Sequence, residues 1–264
     1  MRGTIMPLTA GGYRCSLYLP AKYYEEEAQA KLHGTRSQLG KYPLVLLLGE
    51  SNIEPIMTYV EQKMPLNGKS RGCKDFILLG IETSEWERDF SPWRAEPLSR
   101  TSKPFTGHAD DFIATLQKSV IPHLLQSYRI YSDHTNVAIV GYSLAGLCAL
   151  YSLYKCSVAD NIACISGSLW FKNWLEFCGE QQIPADHTRL YRIYISLGAS
   201  EKNTPNPVMA TVDECTRKTF RMLQEQMTVI GKKQDSVFFE YTDGGHFDNV
   251  PQRIVKALLY LEKE

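Results

Sequence analysis

The sequence lacks an excess of charge of either sign: Lys and Arg number 29 and Asp and Glu 29 across 264 residues. A chain without net charge carries no electrostatic footprint for nucleic acid or an anionic membrane, so neither is expected as a partner. Long hydrophobic runs are also missing. The longest aliphatic run, Leu44-Val45-Leu46-Leu47-Leu48, is far short of the roughly 20 residues a membrane-spanning helix needs. No apolar stretch of signal-peptide length follows Met1-Arg2, so a cytoplasmic location is expected. Cys15, Cys73, Cys148, Cys156, Cys164, Cys178 and Cys215 are scattered, odd in number and form no CxxC pair. That spacing suggests neither a disulfide framework nor a zinc site, so reduced core thiols and no metal are expected. Internal repeats and Gly/Ser-rich linkers are absent too, and residues 1–264 read as a single domain.

What is present is an alternation of short apolar runs with helical patterns. Strands are expected at Cys15 to Leu19, Leu44 to Leu48, Phe76 to Ile81, Val137 to Val140, Ile162 to Ile165, Leu190 to Ile195 and Val237 to Tyr241. Several are apolar throughout, as strands buried on both faces are. Helices are expected over Asp110 to Tyr128, Leu144 to Lys155, Val208 to Ile230 and Pro251 to Leu261, where apolar residues recur near the helical period. Such alternation predicts an α/β fold, a mostly parallel central sheet with helices on both faces. Two stretches interrupt it. Glu25 to Lys41 is charged and reads as a solvated excursion. Residues 82–107 are rich in Trp and Pro and too long for a plain connector; such loops either shape a binding site or simply pack on the surface.

The sharpest local signal is Gly141-Tyr142-Ser143-Leu144-Ala145-Gly146, directly after one apolar run and directly before a helix. A serine in a tight strand-to-helix turn has a strained backbone and an exposed hydroxyl, and the turn needs small residues on either side. The helix that follows aims its free N–H groups at the site, which makes the Leu144 N–H a candidate oxyanion donor. A second donor is expected from the loop after Leu48, at Glu50 or Ser51. A serine hydroxyl needs a base. Of the six histidines, His246 follows the last strand in Asp243-Gly244-Gly245-His246, where paired glycines allow a loop to fold over the sheet edge. In sheets that use this turn the third member, an acid, lies between serine and histidine in the chain. Glu201 directly follows a strand, while Asp243, three residues before His246, is an alternative. Trp86, Trp93, Trp170 and Tyr142 are candidates to line a substrate pocket, with core packing the competing role for each tryptophan.

Taken as a set, these segments resemble the esterase D / enterochelin-esterase-like branch of the α/β-hydrolases. The likeness rests on Leu17-Tyr18-Leu19-Pro20, on Tyr42-Pro43 leading into Leu44 to Gly49, and on Arg88-Asp89-Phe90-Ser91-Pro92-Trp93. It extends to Gly141 to Leu147, Ser166-Gly167-Ser168-Leu169-Trp170 and the late Gly245-His246. The chain departs at Leu48-Gly49, where many relatives have His-Gly, and at Glu201, where many have Asp. The resemblance implies the α/β-hydrolase fold and hydrolysis of a small-molecule carboxylic ester through an acyl-enzyme, with no cofactor. Relatives of this kind act on siderophore esters, S-formylglutathione, carbohydrate-linked acyl esters and simple short esters, and some transfer acyl groups instead. An acyltransferase on the same site and a non-catalytic binding domain are the rival readings. Low surface charge and exposed aromatics also permit a homodimer.

Overall fold

A computed structural model describes residues 1–34, 39–63 and 75–262. Eight strands of the described residues form one sheet, in the order β1-β2-β4-β3-β7-β8-β9-β10. In the first half of the chain lie β1 (Thr4–Ala10), β2 (Tyr13–Leu19), α1 (Ala21–His33), β3 (Leu44–Leu48), α2 (Glu54–Lys63) and β4 (Ile77–Glu82). A one-turn helix α3 (Trp86–Asp89) and a two-residue pair, β5 (Arg94–Ala95) with β6 (Phe105–Thr106), follow. Next come α4 (Ala109–Thr115), α5 (Ile121–Ser127), β7 (Val137–Tyr142), α6 (Leu144–Lys155) and β8 (Asn161–Ile165). The chain continues through α7 (Trp174–Glu180), β9 (Arg192–Gly198), α8 (Val212–Val229), β10 (Val237–Thr242) and α9 (Val250–Leu261).

From β4 to β10 all neighbours are parallel; β1 and β2 add an antiparallel edge. Alternate residues of the central strands point to opposite faces. Leu44, Leu46, Leu48 and Ile139 pack with Phe112, Leu147 and Leu150 on one face. Val45, Leu47 and Val140 pack with Met57, Val60, Ile254 and Leu258 on the other. Both faces are therefore dry, which is why these strands read as unbroken apolar runs.

Several local features differ from the sequence expectation, among them α1, β1 and the helix before β7. The stretch read as solvated from Glu25 is helical to His33, capped by Gly34 at φ 69°. Only Tyr23 and Ala30 of α1 are buried, so it has almost no apolar stripe to read; residues 35–38 of that stretch lie outside the described residues, as does Cys73. β1 is not among the expected strands; it carries Pro7, and as an edge strand it tolerates a residue that cannot donate to a ladder. The single helix expected from Asp110 to Tyr128 contains a π-helical stretch at Leu116–Val120, just before Pro122, which has no N–H to offer the preceding turn. Among the described residues no helix is long and apolar enough to cross a membrane.

The connection order positions the site. From β3 the chain steps to β4 on one side, and later to β7 on the other. Loops leaving the C-terminal ends of β3 and β7 thus diverge and open a crevice, the place where open α/β sheets bind ligands. Leu48 and Gly141 are register partners at this edge, so the turns beginning at Gly49 and Tyr142 leave the sheet side by side.

Candidate active site

Ser143 sits between β7 and α6 with φ 59° and ψ −123°, a backbone conformation that costs a non-glycine residue roughly 1–3 kcal/mol and survives only where neighbours enforce it. The enforcement is visible. The Ser143 N–H donates to the Ile165 carbonyl at 3.0 Å, and the Ser143 carbonyl accepts from Ser168 N–H at 3.0 Å and Leu147 N–H at 3.2 Å. A Cβ on Gly141 would stand 2.1 Å from the Ala145 carbonyl oxygen, and one on Gly146 would meet the Gly141 carbonyl at 3.0 Å. The close approach falls on Gly146, which leaves Ala145 room for its buried methyl. Gly141→Ala is expected to destabilise the protein by about 3 kcal/mol, read as a fall in the midpoint of denaturant unfolding. An unchanged midpoint would show that the turn relaxes freely.

His246 approaches from the loop after β10. Its Nε2 is 3.0 Å from Ser143 Oγ, and its Nδ1 is 2.8 Å from Glu201 Oε2. The loop is shaped by Gly244 at φ 89° and by Gly245 N–H, which donates to Asp248 Oδ2 at 2.7 Å. Tyr142 donates its hydroxyl to the His246 carbonyl, and the two rings lie 5.3 Å apart. The side chain of His246 remains 22% exposed whereas that of Glu201 is 2% exposed, so a ligand can reach the imidazole while its carboxylate partner stays dry.

Glu201 follows β9 in a turn that aims its carboxylate back at the sheet edge. Oε1 accepts from Ser166 Oγ at 2.6 Å and from Gly198 N–H at 2.7 Å. Burial pushes its pKa upward, but hydrogen bonds from His246, Ser166 and Gly198 N–H outweigh burial and hold it below the ordinary carboxylate value. Of the two acids left open by the sequence, Glu201 is the one on His246. Asp243 contributes its backbone carbonyl to Arg253.

Arg253, on α9, is the residue that sequence reading missed. Its side chain is 2% exposed and reaches four acceptors. Nη1 donates to Ser166 Oγ at 2.8 Å and Glu201 Oε1 at 3.1 Å; Nη2 donates to the carbonyls of Asp243 and Gly245 at 2.8 Å each. One planar guanidinium thus ties the acid turn to the loop that carries His246. A signal was present: Arg253 lies on the same buried helix face as Ala257 and Leu261, where an unpaired charge would be costly.

The other expected residues divide. Leu144 N–H lies at the start of α6, where helix N–H groups have no intrahelical acceptor. Among the described residues neither it nor the N–H of Glu50 or Ser51 has a hydrogen-bond acceptor. The side chains of Glu50 and Ser51 are used locally, Glu50 Oε1 on Asn52 N–H at 2.6 Å and Ser51 Oγ on Glu82 at 2.8 Å. Trp170 lines a cavity with His246 and Glu201. The remaining expected pocket residues have other work. Trp93 is packed against Tyr151, Phe171 and Phe177 and donates its indole N–H to the Lys172 carbonyl at 2.8 Å. Trp86 stands over Gly49, where a Cβ would approach it to 2.3 Å, and packs edge-on to Phe90. These two therefore shape the 82–107 stretch and the turn after β3, and Tyr142 braces the histidine loop. Aromatic side chains bury their large apolar surface wherever tertiary packing offers partners, and the sequence does not say where that is. Among the described residues no group of three or more His, Cys, Asp or Glu side chains is placed to hold a metal ion.

Comparison with known proteins agrees with this architecture. The model of the family described as "Putative esterase" matches residues 9–249. The uncharacterized protein YbbA of Bacillus subtilis is 23% identical over 99% of this chain and 97% of its own length. An IroE-like serine hydrolase from Shewanella oneidensis superposes with a TM-score of 0.76 at 17% identity, over 98% of this chain and 80% of that one. The siderophore hydrolase EstA of Aspergillus nidulans gives 0.67 at 15% identity, over 99% and 94%. The fold shared with these structures is that of the α/β-hydrolases.

Proposed function

Because the chain belongs to this esterase family, and is with it a carboxylic ester hydrolase, we propose that Ser143, His246 and Glu201 form a catalytic triad that cleaves the ester through an acyl-enzyme. The observation that carries this reading is the unbroken hydrogen-bond chain Ser143 Oγ, His246 Nε2, His246 Nδ1, Glu201 Oε2, with spacings of 3.0 and 2.8 Å. It stands at the crevice where the strand order reverses.

The chemistry follows from the roles. His246 Nε2 takes the Ser143 proton as Oγ adds to the ester carbonyl. The buried Glu201 carboxylate holds the ring in the tautomer that presents Nε2 as acceptor and stabilises the imidazolium once formed. The oxyanion is met by Leu144 N–H and by the N–H of Glu50 or Ser51, donors with no competing acceptor. His246 then returns the proton to the leaving alcohol oxygen. Water enters, loses a proton to the same nitrogen and attacks the acyl-enzyme. The second tetrahedral intermediate collapses, releasing the acid and regenerating the Ser143 hydroxyl. Arg253 touches no reacting atom in this scheme; it positions Glu201 and the histidine loop.

An alkyl fluorophosphonate is expected to label the folded protein once, on the peptide bearing Ser143, as read by mass spectrometry. An absence of adduct on folded protein, or an adduct elsewhere, would overturn the assignment and favour a binding domain of the same fold.

A further inference from the structure

One concave space lies beside His246, and a second shares Trp170 with it. The nearer, about 240 Å³, is walled by His246, Glu201, Trp170, Pro205, Met209 and Val212. The farther, about 480 Å³, is walled by Ala95, Leu98, Phe105, Trp170, Phe171 and Val208. Trp170 belongs to both. The segment 203–209 also serves both, with Asn203 to Pro205 and Met209 on the nearer space and Asn206 to Val208 on the farther. The farther chamber has the size of a ligand site.

Contacts within the protein hold its walls. Phe105, Trp170 and Phe171 form an aromatic corner with centroids 5.1 to 6.5 Å apart. Asn206 Nδ2 donates to the Leu98 carbonyl at 3.4 Å, joining opposite sides. Ser168 N–H on the Ser143 carbonyl fixes the segment that carries Trp170 to the nucleophile turn. The charged residues on the rim are Glu96 and Lys172, one of each sign, so the chamber presents no net charge to what enters.

The direction of the reaction says which half of the ester lies there. The β3 turn, source of one oxyanion donor, is on one side of β7; β8, β9 and β10 are on the other. The leaving oxygen must face His246 Nε2 to be protonated, so the alcohol half extends toward the segments that follow β8 and β9, which wall the nearer space and, with residues 95–98 and 105, the farther one. We infer that the two spaces form an alcohol subsite, and that this chain prefers esters of an uncharged, bulky apolar alcohol such as a fused-ring aryl alcohol. The inference rests on the triad reading for its direction, but its chamber is tested without turnover.

Val208 is half-exposed, so Val208→Asp can place a carboxylate in the chamber without burying it in the core. Calorimetry should show saturable binding of 2-naphthol to the wild type, weakened at least about tenfold in Val208→Asp because apolar ring surface is no longer shielded from a charge. The ratio of kcat/KM for 2-naphthyl acetate to that for methyl 2-naphthoate, which carry the same rings on opposite sides of the ester, should fall by a similar factor. No binding of 2-naphthol, binding indifferent to the substitution, or an unchanged or rising ratio overturns the subsite. Failure of fluorophosphonate to label Ser143 overturns the triad instead and leaves the 2-naphthol result standing.

Discussion

Ser143→Ala is expected to lower kcat on p-nitrophenyl acetate by about 10⁴- to 10⁶-fold, leaving a folded protein. The loss is large because Oγ is the atom that would bond to the acyl group, and no neighbour can replace it. Its partner His246 would then have nothing to deprotonate but water, and the residual rate would come from the oxyanion donors and from binding. Stability should change little. Alanine keeps the Cβ that strains the backbone at φ 59°, and the hydroxyl's hydrogen bond to a part-exposed imidazole is worth about 1 kcal/mol. Steady-state kinetics and denaturant unfolding on the same preparation separate the two effects. A kcat within tenfold of the wild type would remove Ser143 from the mechanism.

Arg253→Met should be the most disruptive change outside the proposed triad. Arg253 and Glu201 are each 2% exposed at the side chain, and removing one member of a buried ion pair strands the other, at about 3–5 kcal/mol. Three further acceptors, Ser166 Oγ and the Asp243 and Gly245 carbonyls, lose their donor at the same time. Activity should fall by about 10- to 100-fold, because small displacements of a catalytic group carry penalties of that order. The pH dependence identifies the cause. The folded-state pKa of Glu201 is depressed, so its contribution to stability is fully present above the unfolded carboxylate value, about 4.3, and is lost as pH falls through the folded value. Removing the Arg253 cation 3.1 Å from Oε1 brings the folded-state value closer to the unfolded one, so the variant's acid-side loss should begin at the same pH, be complete at a higher pH and be smaller. Arg253→Lys keeps the charge and should restore much of the neutral-pH stability. Its single ammonium cannot span four acceptors, so kcat should remain low. Equal unfolding midpoints across pH for wild type and Arg253→Met would show that the clamp is dispensable.

The parts of the site legible in the sequence are those set by neighbours in the chain. Gly141 to Gly146 announces a strand-to-helix turn because its backbone packs against itself, Gly141 on Ala145. The parallel strands were legible because both their faces are buried. His246 was legible from the glycines before it, and Glu201 from the strand before it, though not to the exclusion of Asp243. Where local pattern is weak, reading failed: α1 buries two residues, and β1 carries a proline.

What the sequence alone determined is therefore the α/β class, the strand-to-helix turn that carries Ser143 and a short list of partners. The tertiary structure decided which of those partners meet. His246 reaches Ser143 from 103 positions away, Glu201 reaches His246 from 45, and Arg253 reaches Glu201 from 52. Contacts at such separations depend on the order of strands in the sheet. That order places β7, β8, β9 and β10 edge to edge, so the loops after them converge. It also drew Trp93 into an aromatic cluster and left Trp170 on the cavity beside His246. The two indoles are alike in chemistry, and only the surfaces packed around them give them different work.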